Sequence, residues 1–534
     1  MDSSPFASRL DSNYIATDSE SLEIRTLLEH PTARLEELST QLQELRDEQS
    51  ALLLFISKHR TLISPIRKLP IDVLQNIFIA CLPTAHNPVM SKSEPPILLT
   101  QICSSWRNVA HATPQLWKSI HIAVPGPNDY PYTTMEQQID RRSEAVQEWL
   151  TRSAAYPLEI SIGGHWEAYD EFYEKIIDSL IRFSDRWRKV LFSARYQVLV
   201  PIASLPPSKV PLLETLSLIC PVVEPLPVTD LDTQPICGVM KAPNLRNLWL
   251  CGYWLSQLNE DVTRFPINWS QLTNIVLEMT FYRTHFSVSR AYEVLSLCSN
   301  LITCQLEFGD IPPVIDELPL DIISLPFLTS LSVRESSSLK KLFTRLHLPS
   351  LNLIEFHTTI YPTELSSTSL LSLLTHFHNT IHLITDAKYF TRQDFIKCLR
   401  LCPLLKSLSI GQGILPPGIL YSFRIDDAFI KLFFESSNDE GVLCPHLEDF
   451  ESSSEAEFSE TTLLQFVKEK NSDDSTTGLA KLKRLYVLFN CRLTDIKQEL
   501  EPYEHAGLVA IITYPHTTSR TPFSAFGGLP GYVV

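Results

Sequence analysis

The chain has 534 residues, 44% hydrophobic and 20% charged, which makes it too long for one compact core and too apolar to stay unfolded. Its 45 lysines and arginines face 61 aspartates and glutamates, and the net charge of −16 disfavours nucleic acid and anionic membranes, whose phosphates need clustered cations. Eleven cysteines without CxxC pairs fit buried thiols in a reducing compartment, so a cytoplasmic or nuclear home is expected and the sequon Asn268-Trp269-Ser270 is expected to be idle.

Residues 1–20 are polar and rich in Ser and Asp, and read as disordered. They show no apolar core behind a basic start, so no signal peptide is expected. The apolar runs are too short to span a bilayer, so no membrane is expected as a partner. Over 21–62 the spacing predicts an amphipathic helix. Leu35, Leu38, Leu42, Leu45, Leu52 and Ile56 recur at steps of three and four, with Gln49 filling one position of the seam. Leu35, Leu38, Leu42, Leu45 and Leu52 are candidates for self-association. The same pattern also suits a helix that folds back on its own domain.

Between 63 and 122 a small helical module is expected. Pro70 suits a first helical position, and Val73, Leu74, Ile77, Phe78, Cys81 and Leu82 then share a helix face. A polar, proline-rich loop follows over 83–96. A second helix is expected next, with Leu98, Ile102, Cys103, Trp106 and Ala110 on one face. Thr113 and Pro114 restart the chain for Leu116-Trp117, and residues 120–124 alternate like a strand.

The ordered set LP-x-D-VL-xx-IF-xxx-L, IC-xx-WR-xx-A and P-x-LW in this module resembles the F-box. The residues that carry it include Leu69, Pro70, Val73, Leu74, Ile77, Phe78, Leu82, Leu98, Ile102, Cys103, Trp106, Arg107, Pro114, Leu116 and Trp117. The match covers about 50 residues. The 83–96 loop is longer and more proline-rich than the usual link, as in a variant common among fungal F-box proteins. The resemblance implies docking on a Skp-type adaptor and, through it, a cullin. The first twelve of those residues, Leu69 to Arg107, are the adaptor-binding candidates.

From Leu158 onward a phrase of the form L-x-x-L-x-L recurs, as in PLLETLSL, PNLRNLWL, SQLTNIVL, SNLITCQL, PFLTSLSV, PSLNLIEF and PLLKSLSI. PHLEDFES and AKLKRLYV continue it, and a weak unit around Ile381 fills one gap. This looks like a leucine-rich-repeat array with irregular units, in which each strand turns alternate residues outward and stacks on its neighbours. The stretch 125–200 starts or caps the array. The outward positions include Asn247, Trp249, Asn274, Val276, Thr303, Gln305, Arg334, Glu355, His357, Arg484 and Tyr486. Trp249, Gln305, Arg334, Glu355 and Tyr486 are the candidate substrate contacts. ESSSEAEFSE (451–460) reads as a solvated loop, or as a target for an acid-directed kinase.

No phosphate-cradling glycine motif, HExxH or GxSxG is present. His376, His378, His382, Cys398 and Cys402 are close in sequence but supply no full ligand set. No catalytic residue, metal or cofactor is therefore expected, and the chain is not expected to be an enzyme.

The expected fold class is α+β or an α/β repeat. It comprises a disordered start (1–20), an N-terminal helix (21–62), a helical module (63–122), an irregular leucine-rich-repeat solenoid (123–504) and a loosely ordered tail (505–534). The F-box resemblance implies a substrate receptor of an SCF-type cullin–RING ubiquitin ligase, holding a protein substrate that the sequence does not identify. The alternative is a repeat-built interaction scaffold with no ligase.

Overall fold

The computed structural model describes residues 4–10, 12–126, 132–164, 170–220, 237–279, 286–308, 318–335, 338–358, 369–377, 379–387, 390–411, 425–435, 441–472, 478–489 and 494–514. The chain divides into two compact units, Met1–Ile77 and Phe78–Val534.

The first unit is dominated by one helix, α1 (Asp18–Leu62), of 45 residues. It begins inside the stretch expected to be disordered. Thr17 and Glu20 form a reciprocal cap there: the Thr17 hydroxyl accepts from the Glu20 amide, and the Thr17 amide donates to the Glu20 carboxylate at 2.9 Å. That pairing satisfies two amide donors that a helix start would otherwise leave open, which a reading of composition alone does not register. Helix α2 (Ile71–Ala80) follows Pro70, whose carbonyl accepts from the Leu74 amide at 3.0 Å.

The second unit opens with two short helices, α3 (Ile97–Ile102) and α4 (Ser104–His111). A single helix was expected across this stretch. The chain breaks at Cys103, which is fully extended (φ −160°, ψ 169°), and its sulfur accepts from the Trp106 amide at 3.5 Å to cap α4.

The body of the unit is a sheet. Its strands are β1 (Ser119–Val124), β2 (Leu158–Gly164), β3 (Trp187–Ser193), β4 (Thr215–Cys220), β5 (Asn247–Gly252), β6 (Asn274–Glu278) and β7 (Thr303–Glu307). A two-residue β8 (Ile323–Ser324) precedes β9 (Ser330–Glu335), and β10 (Leu346–His347) precedes β11 (Leu353–Thr358). Then come β12 (His382–Asp386), β13 (Ser407–Gly411), β14 (Asp449–Ala456), β15 (Arg484–Phe489) and β16 (Val509–Thr513). Fourteen of these pair in chain order, all parallel, while β8 and β10 pair separately beside them. A parallel sheet whose strands follow one another in sequence is compatible with a repeat solenoid. Helices fall between most strands, including α5 (Tyr132–Arg152), α6 (Asp170–Ile181) and α7 (Tyr196–Ala203).

The repeat physics is visible residue by residue. The first leucines of the phrases, Leu213, Leu245, Leu272, Leu301, Leu328, Leu351, Leu405, Leu447 and Leu482, are all buried. The residue after each joins one backbone ladder: Arg246 donates to Glu214, Thr273 to Arg246, Ile302 to Thr273, Thr329 to Ile302 and Asn352 to Thr329. The amide of Ile381 donates to Asn352 at 2.8 Å and its carbonyl accepts from Lys406 at 2.8 Å, so the weak unit around Ile381 is a full member.

Two expected boundaries and one expected loop change. Strand β1 runs across the edge drawn at 122/123 and is buried on both faces, so the helical module and the array share it. Strand β16 lies inside the segment expected to be a loose tail, because Val509, Ile511 and Ile512 supply the β-branched run that a strand favours. The acidic serine run is not a loop over most of its length, since β14 extends to Ala456 with a register shift after Ser452, and Ser452 is buried.

Candidate protein-interaction surfaces

The residues matched by the module motif separate into inside and outside positions. In the first unit Leu69 is half-buried and Pro70 exposed. Leu74 is buried, whereas Val73 and Ile77 remain 39% and 37% exposed. Apolar side chains exposed on successive turns of a short helix gain little there unless something covers them.

In the second unit Phe78 is fully buried, its ring 4.9 Å from that of the half-buried Trp106. Leu82 and Leu98 are half-buried and the neighbouring Leu99 is the buried residue of α3. Ile102, Cys103 and Arg107 are exposed, although Ile102 and Cys103 were expected on the face shared with Trp106 and Ala110. The break at Cys103 rotates them off that face. The Arg107 guanidinium donates to the Thr100 carbonyl at 2.8 Å and so clamps α3 to α4.

Trp117 is buried beside the sheet. Its indole N–H donates to the Ala110 carbonyl at 2.9 Å, its ring meets Trp149 of α5 edge-on at 4.9 Å, and the Arg152 guanidinium lies over it. Trp149 donates in turn to the Ser119 carbonyl of β1 at 3.2 Å. The 83–96 loop is also attached to the sheet. Val89 is buried and bridges His121 in parallel, the His121 amide donates to Pro88 at 2.8 Å, and Asn87 donates to Ser161 at 3.1 Å.

The second surface is the outward face of the sheet. Registers place Trp249 opposite Val276, Val276 opposite Gln305, Gln305 opposite Ser332 and Ser332 opposite Glu355. The same row continues through Ile384, Ser409 and Glu451 to Tyr486. Four of the five candidate contacts thus lie in one row. Trp249 and Tyr486 are half-buried, and eight strand steps of about 4.8 Å separate them by roughly 38 Å along the sheet. They are not one patch.

A neighbouring row is already occupied. Asn247 donates to Thr215 at 2.8 Å, Asn274 to Asn247, and Thr303 to Asn274 at 2.8 Å. That polar ladder ties strands together and leaves those amides fewer free valences than their outward positions suggest.

Arg334 belongs to a third row, opposite Glu307 on one side and His357 on the other. Its guanidinium meets Glu307 at 3.2 Å. His357 lies between Asp386 (2.8 Å) and Glu355 (3.0 Å). Burial disfavours the charged imidazole, but its hydrogen bonds to the two carboxylates outweigh that and raise its pKa to about 9. Glu355 is lowered, first by its hydrogen bond to His357. Glu278 is raised by burial and by the nearby Glu307 charge. Glu278, Glu307 and Asp386 had no place among the candidate residues, although Arg334 and His357 of the same row were named.

The buried cysteines are in poor surroundings for chemistry. Burial pushes the thiols of Cys220, Cys237, Cys298, Cys402 and Cys444 up to about 12, the reverse of what a reactive thiolate needs. The described residues include no group of three or more His, Cys, Asp or Glu arranged to hold a metal ion, and His378 lies outside them. No helix among the described residues is long and apolar enough to cross a membrane.

No protein-family model matches this chain, and no curated protein matches it. It is similar to a solved structure described as the crystal structure of the Rad7 and Elc1 complex in yeast. The identity is 14% and the TM-score 0.26, over 67% of this chain and 92% of that one.

Proposed function

We propose that the chain is a substrate receptor of an SCF-type cullin–RING ubiquitin ligase, with residues 69–117 as an F-box that docks on a Skp-type adaptor. One observation carries the reading. The ordered motif has buried positions, Leu74 in the first unit and Phe78 and Trp117 in the second, and apolar side chains that remain exposed, in Val73, Ile77 and Ile102. Leu69, Pro70, Val73 and Ile77 are the anchors. Ile102, Cys103 and Trp106 are the contact candidates of the second unit.

The outward face of the sheet holds the substrate, with Trp249, Gln305 and Glu355 in its first half and Tyr486 far along the row. The third row carries Glu278, Glu307 and Asp386 beside Arg334 and His357, and its acidic excess suits a basic segment of the substrate. The receptor contributes no catalytic group. It acts by proximity, raising the effective concentration of a substrate lysine near a ubiquitin-charged conjugating enzyme.

The test is to co-purify the full chain with a Skp-type adaptor and compare it with a Leu69→Ala, Pro70→Ala variant and a Val73→Glu, Ile77→Glu variant. Binding by the parent and its loss in both variants, at unchanged melting temperature, is the expected result. A folded parent that does not bind sinks the ligase reading. It would leave an interaction scaffold, a role for which the exposed apolar helix α1 is the motivating feature.

A further inference from the structure

Among the described residues, helix α1 carries the longest run of exposed large apolar side chains. Leu35, Leu38, Leu42, Leu45, Leu52 and Ile56 stand between 42% and 65% exposed, in a stripe running roughly 32 Å along the helix at 1.5 Å per residue. Their spacing alternates three and four, and Gln49 keeps the count where an apolar residue is missing. A mean period of 3.5 is the period of a left-handed supercoil and not that of a straight helix lying on its own domain. Pro31 occupies the seam position before Leu35, which sets the start of the seam at Leu35.

The identity of the partner helix is read from Gln49. In the heptad it shares its position type with Leu35, Leu42 and Ile56. In an antiparallel pair, residues of that type face the other type, and the Gln49 amide would be pressed against leucine. In a parallel pair in register, Gln49 faces Gln49 of an identical helix, and each amide can donate to and accept from the other. The flanks agree. Parallel alignment sets Arg34 against Ser39, Gln41 against Arg46 and Glu48 against Leu53 of the second copy, so no like charges meet. Leu53 and Phe55 widen the apolar stripe at its C-terminal end.

We infer that two copies of this chain associate through α1 as a parallel, in-register coiled coil over residues 35–56, with the paired Gln49 amides fixing the register. The inference does not depend on the ligase reading, since neither the seam nor its partner involves residues 69–117.

Light scattering and sedimentation of the full chain at micromolar concentration test it. The parent is expected to run as a dimer, and a Leu42→Arg, Leu45→Arg variant as a monomer with the melting transition of the sheet unchanged. Direction is read separately from a Leu38→Cys variant near one end of the seam, which is expected to cross-link two chains under oxidation if they run parallel, with the parent as the control for native Cys81 and Cys103. A monomeric parent overturns the inference and points to a different helix as the occupant. A dimer that survives both arginines overturns the surface, and a dimer in which Leu38→Cys does not cross-link overturns the parallel register.

Discussion

His357 is the residue whose chemistry reaches furthest. Its imidazole is held charged between Asp386 and Glu355 with a pKa of about 9, against an ordinary value of 6.5. A proton bound more tightly by the folded state stabilises that state. The contribution is complete below about pH 6.5 and is lost as pH rises through about 9. Denaturant melts between about pH 6 and pH 10 should show a loss on the order of 1–3 kcal/mol for the parent, and a flatter profile for His357→Gln. Equal slopes in the two proteins would mean that the cluster is not coupled to folding. In the module, neighbours on one helix should behave oppositely. Leu74→Ala and Phe78→Ala are expected to cost about 2–5 kcal/mol, whereas Val73→Ala and Ile77→Ala should cost under about 1 kcal/mol, as read by the same melts.

At the scale of elements, the break between α3 and α4 is informative. Cys103 holds the capping position of α4 with a weak sulfur acceptor. A hydroxyl or carboxylate is a better cap, so Cys103→Ser should raise stability by about 0.5–1 kcal/mol if Cys103 caps as described. A fall in stability would show that the thiol matters through packing instead. This break also explains what the sequence could not disclose. Apolar spacing through Leu98, Ile102, Trp106 and Ala110 is continuous, and periodicity cannot register a single extended residue inside it. The repeat strands were legible for the opposite reason. Each phrase must bury its leucines in the same register as its neighbour, so the pattern survives irregular spacing, and even the faint unit at Ile381 was readable. The capping pair Thr17 and Glu20 was also present in the sequence, but composition masked it. The outer rows were legible only in part. Trp249 and Glu355 lie inside the phrase and were named; just beyond it Arg334 and His357 were named too, but Glu278 and Asp386 of the same row were not.

Within the second unit, the part of the module from residue 78 to 122 and the sheet share contacts. Trp117 is packed on Trp149, β1 is paired with β2, and the 83–96 loop is bonded to His121 and Ser161. A fragment of residues 60–125 leaves Trp117 and β1 without their covers. It is expected to give no cooperative melt and no dispersed amide spectrum, whereas the full chain gives both. A well-folded fragment would show that the module is autonomous and that the shared contacts are incidental.

The backbone ladder has two unlike ends. At one, β1 is buried on both faces and flanked by the bridge at Val89. At the other, no strand lies beyond β16 among the described residues, and Val509 and Ile511 are 55% and 48% exposed. In a stack held by nearest-neighbour coupling, such asymmetry gives unfolding a direction. Fraying begins at β16 and travels back one repeat at a time, while the β1 end acts as the anchored terminus. Amide exchange should therefore slow progressively from β16 toward β1, and any load applied to the distant repeats would be released from the far end first, leaving the β1 end of the sheet the last part to open.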